Sequence, residues 1–220
     1  IDLDDIIKPE FGGKVSDEDR RLICLVVARE IGYQPRLGQL LTAEGVIGRI
    51  RTDDTWDDIY PTLEQASYVI KHKDGTGHVY LDWHYEPLID SETGEPVLDS
   101  ETGEPVLIIV GTEITDYSRS VKQAVDLALS GSSVSSLLLE IVTEKVNEMY
   151  GLELDESYYS QGTQFHYGPN GLGPYEASLR TINQVPVSFQ VVDQIFYGMW
   201  LHESQKLAIE LPCLNPKVEG

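Results

Sequence analysis

The chain has 220 residues, of which 37 are acidic and 16 basic, so its formal net charge is −21 at pH 7. So acidic a surface argues against nucleic acid and anionic membranes as partners, because both are bound by clustered Lys and Arg. No segment reaches the roughly 18 apolar residues of a membrane span. Residue 1 opens an acidic stretch, unlike the basic start of a signal peptide, so no signal peptide is visible in this chain.

The sequence shows no signature of a metal or cofactor site. The five histidines form no His-Glu-x-x-His pattern, and the two cysteines form no Cys-x-x-Cys pair. Phosphate-loop and Gly-x-Ser-x-Gly motifs are also absent from the sequence. Cys24 lies in an apolar run, which indicates a core residue. We therefore expect neither a metal nor a cofactor.

The first 70 residues favour helices. Ser16 and Asp19 have the spacing of a capping box, and Gly32 is placed to end the helix that follows. A proline suits the first turn of a second helix. The predicted elements here are an arm over residues 1–15, a helix to about Ile31, a helix from Pro35 to about Arg51, and a helix from Pro61 through Ile70.

The middle of the chain favours strands and carries a repeat. Residues 78–86 and 106–110 are rich in β-branched and aromatic side chains, which predicts two strands. Between them, residues 90–98 recur unchanged as residues 99–107. Two copies are too few for a solenoid. The repeat is either an arm over residues 86–107 that contacts a protein partner, or a length change in a tolerant turn.

The last third returns to helices and ends in mixed structure. Helices are predicted over residues 116–129 and 133–150, closed by Gly131 and Gly151. Residues 158–171 are aromatic, polar and rich in turn formers, which is typical of a surface loop lining a groove. A hairpin is predicted over residues 185–200. Together these elements predict one mainly α (α+β) domain over residues 1–220, with a β insertion at 72–115.

Glu30 is the most informative side chain in the sequence. It follows Val26 and Val27 by four and three residues, so it shares their apolar helix face. Burial and the negative end of the helix dipole both raise a carboxyl pKa, as a general acid requires. The alternative is that Glu30 reaches solvent from the edge of the stripe or pairs with an arginine. The arginines available are Arg29, Arg36 and Arg49.

Small residues recur on one side of the second predicted helix, at Gly38, Thr42, Gly45 and Gly48. Each glycine inside a helix costs about 1 kcal/mol relative to Ala, so several together indicate close approach of another backbone. The helix would then form the floor of a cleft with Glu30 at its mouth. Packing alone is the alternative.

Residues 30–39, followed by residues 46–50, resemble the cell wall hydrolase family typified by spore cortex-lytic enzymes. In both, a glutamate closes a helix, a Gly-Gln pair follows, and the next helix ends in an arginine motif. The resemblance covers roughly residues 18–70 and 116–200. Three later segments are similar to further motifs of that family, namely residues 124–131, 162–169 and 195–197.

The resemblance implies a lysozyme-like helical fold and cleavage of the peptidoglycan glycan strand, with Glu30 as the catalytic acid and base. It therefore implies work at the cell envelope, by a secreted protein or a phage particle. Gly48, Gln34 and Gly168 stand where the family has Asn, an acidic residue and Asn. The residues expected to bind substrate are Gln39, Tyr158, Tyr159, Phe165, His166 and Tyr167, although the aromatic rings could instead pack beneath their loop.

A hydrolytic glycosidase needs a second carboxylate. The candidates lack the apolar placement of Glu30, which favours a lytic transglycosylase, in which the C6 hydroxyl of muramic acid attacks and leaves a 1,6-anhydro sugar. The alternative function is a structural or assembly protein on the same fold, such as a bacteriophage particle component. The acidic charge, the departures from the family and the repeat favour it. The candidate second carboxylates are Glu44, Asp53, Asp54, Asp57 and Asp58.

Overall fold

In the computed structural model, the described residues are 15–51, 62–72, 74–151, 153–156, 159–168 and 188–198. Within these ranges helices and two small antiparallel sheets form an α+β fold, as the sequence predicts at this level. The helices are α1 (Asp17–Ile31), α2 (Arg36–Arg51), α3 (Leu63–Ala66), α4 (Arg119–Leu129) and α5 (Val134–Tyr150). The strands are β1 (Ile70–Lys71), β2 (Gly77–Pro87), β3 (Leu107–Ile114), β4 (Phe165–Tyr167), β5 (Ser188–Val191) and β6 (Gln194–Tyr197).

The first two predicted helices are confirmed, and local signals explain their ends. The hydroxyl of Ser16 accepts a hydrogen bond from the backbone N–H of Asp19 at 3.0 Å, which satisfies one of the free donors at the start of α1. The helix ends at Ile31, directly before Gly32. The predicted arm lies outside the described residues apart from Val15, which is buried in the core.

Helix α2 is the centre of the core. Residues 38–48 are all buried, because α2 packs against α1 on one side and α4 on another. Cys24 of α1 is buried, as predicted. Its burial raises the pKa of the thiol to about 11. Because residues 38–48 have little contact with solvent, the polar side chains among them need partners inside the protein.

The third predicted helix is wrong beyond Ala66. Residues Ile70–Lys71 form strand β1, in which Ile70 pairs with His78 of β2. The apolar spacing that predicts a helix here is outweighed by backbone hydrogen bonds to a strand several residues further on, which local periodicity does not reveal. The predicted start at Pro61 lies outside the described residues.

The first sheet has the order β1-β2-β3, and its hairpin continues outward as the repeat. Val79 at the root of β2 is fully buried, whereas Leu98 and Leu107 on the repeat are each 57% exposed. Each copy closes its own turn in the same way. The carboxylates of Asp90 and Asp99 accept from the backbone N–H three residues later, at 2.8 and 2.9 Å. The repeat is thus two successive copies of one turn, outside the core.

Helix α4 begins at Arg119 rather than at residue 116, because the Ser118 hydroxyl caps it by accepting from the N–H of Val121 at 3.2 Å. Helix α5 ends at Gly151, whose φ of 63° is the left-handed conformation expected of a closing glycine. In the described part of the chain, no single helix has the length and hydropathy of a membrane span. Only α4 and α5 taken together, bent by 76°, reach them.

The predicted groove loop is partly a strand. Phe165–Tyr167 form β4, which pairs with β6. The predicted hairpin is confirmed as β5 and β6, and its predicted ends, residues 185–187 and 199–200, lie outside the described residues. The resulting sheet has the order β4-β6-β5. Strand β4 has only three residues, is flanked by turn-forming residues, and is stabilised by its pairing with β6. The sequence pattern of residues 158–171 does not reveal this pairing and therefore favours a loop. Residues 158 and 169–171 of that segment lie outside the described ranges.

Candidate active site

A cleft of about 120 Å³ opens where the last turn of α1 and the second half of α2 face the second sheet. The segment before β4 and the end of β6 form the opposite wall, and the residues before β1 form part of the rim. The residues lining the cleft are Val26, Glu30, Leu41, Thr42, Gly45, Val46, Arg49, Ser67, Tyr68, Thr163, Gln164, His166, Phe196 and Tyr197.

The Glu30 carboxyl group lies in this cleft, as the spacing predicts, and its side chain is 25% exposed. Burial raises the pKa of Glu30, and the positive charges of Arg29 and Arg49 offset only part of that rise. The arginine pairing considered as an alternative is also present, because Arg29 donates a hydrogen bond to the Glu30 carboxylate. Burial thus outweighs the arginine pairing, and the net effect is a pKa above that of an exposed glutamate.

Arg29 is fixed by three contacts. Besides binding Glu30, its Nε donates to the backbone carbonyl of Tyr80 on β2 at 2.5 Å, and its guanidinium lies 4.6 Å from the ring centre of Tyr68. The Tyr68 ring is exposed at the rim of the cleft. A guanidinium held by a carbonyl and an aromatic face has little freedom, so it orients the carboxylate that it contacts.

His166 stands on β4 opposite the glutamate. Its Nε2 lies 3.8 Å from a carboxylate oxygen of Glu30, and its ring packs at 5.4 Å from the ring of Phe196. Burial, followed by the charge of Arg49, lowers the pKa of His166 to about 4. The imidazole is therefore neutral near pH 7 and contributes a hydrogen-bonding group, not a charge, to the cleft.

Two glycines of α2 admit the opposite wall of the cleft. A Cβ at Gly45 would lie 3.3 Å from the carbonyl oxygen of Thr163, and one at Gly48 would lie 3.0 Å from the side-chain nitrogen of Gln164. The predicted close approach of another backbone is confirmed at Gly45 alone, where the backbone of residues 163–164 approaches. Gly48 faces the side chain of Gln164, and Gly38 faces the side chains of Ile31 and Gln34.

The other predicted binding residues are only partly brought to the cleft. Gln39 is buried away from it, and its amide joins the turn before α2 to α4 by donating to Gly32 and Gln34 and accepting from Ser120. Tyr159 packs against the core and does not line the cleft. Phe165 and Tyr167 lie on β4, but their side chains are outside the described structure, as is the whole of Tyr158.

Glu44, one of the candidate second carboxylates, is buried and does not line the cleft. Its carboxylate is 6% exposed and accepts from the Ser132 hydroxyl and from the N–H groups of Val134 and Ser135, at 2.5, 3.1 and 2.8 Å. It thus caps the start of α5, whose own N-cap serine makes no such bond. Among the described residues that line the cleft, Glu30 is the only carboxylic acid. Asp53, Asp54, Asp57 and Asp58 lie outside the described residues.

A larger cavity of about 610 Å³ lies at the other end of α1. Four of its charged side chains form two ion pairs, Arg21 with Glu18 and Lys71 with Glu64. The hydrogen bond from Arg21 lowers the pKa of Glu18, a shift opposite to the one that suits a general acid. The described part of the chain also holds no group of three His, Cys, Asp or Glu side chains suited to a metal. The chemistry therefore points to the smaller cleft.

Four residues of the site were not predicted from the sequence to bind substrate or to position another group. Arg29 figures there only as one possible partner of Glu30, and Tyr68 carries no signal at all. Thr163 and Gln164 belong to a segment that is similar to a family motif, but nothing in their identity predicts that they are 1% exposed. Their position follows from the pairing of β4 with β6.

Comparison with family models, with curated protein sequences and with solved structures gives no match to this chain. The resemblance to cell wall hydrolases therefore stays a prediction carried by the motifs alone.

Proposed function

We propose that this protein cleaves the glycan strand of peptidoglycan, with Glu30 as general acid and base, on a lysozyme-like fold. The observation that carries the proposal is a half-buried carboxyl of raised pKa in a cleft, with no second carboxylic acid among the described lining residues. The segments that resemble the family also support it. The end of α1, the end of α2 and residues 162–168 are distant in sequence but border this one cleft.

In the proposed reaction, protonated Glu30 donates its proton to the glycosidic oxygen as the bond from that oxygen to the anomeric carbon breaks. The C6 hydroxyl of the muramic acid then attacks the anomeric carbon and gives its proton back to the Glu30 carboxylate. Arg29 and Arg49 stabilise the carboxylate in the interval between these transfers. Intramolecular attack avoids the entropy cost of binding a water, so no second carboxylate is required.

The test is digestion of purified peptidoglycan by the parent protein and by Glu30→Gln, followed by zymography and mass spectrometry. The amide keeps the shape of the side chain but carries no transferable proton, so we expect turnover to fall by about two orders of magnitude or more. Glu18→Gln is the matched control, because it makes the same change on an exposed face of α1, and it should cleave at the parent rate.

The products decide the mechanism. A 1,6-anhydro sugar is expected from the parent protein. New reducing ends would show that a water, activated by another carboxylate, is the nucleophile. Equal cleavage by the parent and by Glu30→Gln would contradict the role of Glu30. The function also requires access to the cell envelope, as a secreted protein or within a phage particle.

The second candidate is a non-catalytic structural or assembly protein, for example in a bacteriophage particle. One observation favours it, namely that the hairpin arm of β2, the repeat and β3 carries exposed apolar side chains. Natural sheets usually protect such surfaces or use them for binding. Absence of any product from the parent protein would select this candidate. The exposed apolar residues of the arm are Leu81, Tyr85, Leu88, Ile89, Leu98, Leu107 and Ile108.

A further inference from the structure

Three buried side-chain oxygen atoms, on residues that line the cleft, have no hydrogen-bond partner within the described structure. They are the hydroxyl oxygens of Thr42 and Thr163 and the side-chain oxygen of Gln164. These residues are 2%, 1% and 1% exposed, and all three line the cleft that holds Glu30. Buried hydroxyl and amide oxygens nearly always have a partner, so a group of three in one cleft is a place where a ligand can supply it.

The segment that carries two of these atoms is held firmly by its other groups. The backbone N–H of Gln164 donates to the carbonyl of Tyr197 at 3.0 Å, and its side-chain nitrogen donates to the carbonyl of Gln161 at 2.9 Å. The N–H of Thr163 donates to the hydroxyl of Ser135 at 3.1 Å. The wall is therefore built before any ligand arrives, which lowers the entropy cost of binding.

The chemistry of the three atoms selects a neutral ligand group. The amide oxygen of Gln164 only accepts, so it needs an N–H or O–H, while the two threonine hydroxyls can donate to a carbonyl oxygen. The positive charge of Arg49 lowers the pKa of Glu30, so these two groups of opposite charge interact with each other within the cleft. Val26, Leu41 and Phe196 add apolar wall suited to a methyl or methylene group.

We propose that Thr42, Thr163 and Gln164 form a subsite for a secondary amide group, a specificity-determining site that rests on the function proposed above. A secondary amide offers one N–H, one carbonyl and adjoining apolar carbon, which match the three kinds of group present. The cleft volume of about 120 Å³ equals the volume that about four water molecules occupy in the liquid. This volume suits a pendant substituent rather than a whole disaccharide. Two sources carry this chemistry, namely the acetamido group of an amino sugar and a peptide bond.

The test measures binding in the Glu30→Gln protein by isothermal titration calorimetry, so that cleavage does not interfere. The probes are the N-acetylglucosamine tetramer, an N-acetylated dipeptide amide, and cellotetraose, which has hydroxyls in place of the acetamido groups. We expect an amide probe to bind and cellotetraose to bind at least tenfold more weakly. Binding of the sugar probe alone assigns the acetamido source, and binding of the dipeptide alone assigns the peptide source.

Thr42→Val and Thr163→Val, each added to Glu30→Gln, keep the side-chain shape and remove one hydroxyl. Each should weaken binding of the amide probe about 2- to 10-fold, which corresponds to the loss of one hydrogen bond. Each should leave the melting temperature at or above that of Glu30→Gln alone. Thr143→Val is the matched control, because Thr143 is equally buried but its hydroxyl already donates to the carbonyl of Leu139 at 2.7 Å on α5. It should leave the affinity unchanged.

Several results would overturn the subsite. These are equal binding of cellotetraose and the N-acetylglucosamine tetramer without binding of the dipeptide, failure of both amide probes to bind, or unchanged affinity in both threonine variants. If the parent protein nevertheless releases anhydro products, the proposed function stands and only the subsite fails. If the subsite variants behave as expected but the parent cleaves no peptidoglycan, the proposed function fails and the amide site remains.

Discussion

Replacing Glu44 by Ala should destabilise the protein by removing the cap of α5. The substitution deletes the acceptor of three hydrogen bonds and leaves the N–H of Ser135 buried at a site that is 3% exposed. Loss of a cap costs about 0.5–2 kcal/mol, and an unsatisfied buried donor about 1–3 kcal/mol. We expect a loss of about 3 kcal/mol in the free energy of unfolding, or about 6–12 °C in melting temperature for a chain of this size.

Glu44→Gln should cost less. The two carboxylate oxygens each accept from a different backbone N–H, so an amide keeps one acceptor and turns its nitrogen toward the other donor. We expect about half the loss of Glu44→Ala. Thermal and urea unfolding followed by circular dichroism measure both variants. Glu144→Ala is the matched control, because Glu144 is an exposed glutamate in the middle of α5, and it should shift the free energy by less than about 0.5 kcal/mol.

A melting temperature of Glu44→Ala within about 2 °C of the parent would refute the reasoning, since the cap would then add no net stability. The same variants also bear on the mechanism. Glu44→Gln should retain glycan cleavage at temperatures where it is folded. Loss of cleavage by a fully folded Glu44→Gln would identify Glu44 as a second catalytic carboxylate.

Three further predictions follow from the site and the arm. Glu30→Gln should melt at a higher temperature than the parent at pH 7, but not below pH 4.5. The pKa of Glu30 is higher in the folded than in the unfolded protein, so its contribution to stability is present below the unfolded pKa and is lost as pH rises through the folded pKa. Arg29→Met should raise the pKa of Glu30 further, so the pH at which Glu30 loses its proton, followed by NMR of its carboxyl carbon, should move upward. Deleting residues 98–106 should leave the melting temperature nearly unchanged, since the repeat lies outside the core and loop length costs little; a large drop would show that the arm is packed.

Much of the helical framework could be predicted because its signals are local. Ser16 and Asp19 define the start of α1, and Gly151 closes α5, since capping depends on residues within one turn. The apolar face that includes Glu30 follows from helical spacing, and so does the direction of its pKa shift. The repeat is visible as identical residues, and each copy folds into the same turn because the same aspartate closes it.

What the sequence could not supply depends on non-local pairing. Strands β1 and β4 are two and three residues long, and each exists only beside a partner strand, so the patterns around them favour a helix and a loop. Residues 38–48 of α2 are all buried, so periodicity does not separate a buried carboxylate such as Glu44 from a solvated one.

The sequence by itself placed Glu30 on the apolar face at the end of α1, because that position depends only on spacing along one helix. Only the tertiary structure decided what faces that carboxyl. Arg29 reaches Glu30 because β2 offers it the carbonyl of Tyr80, and Thr163 and Gln164 reach α2 because Gly45 and Gly48 leave room for them. These contacts join residues more than 50 positions apart, and chain folding rather than residue type brings them together.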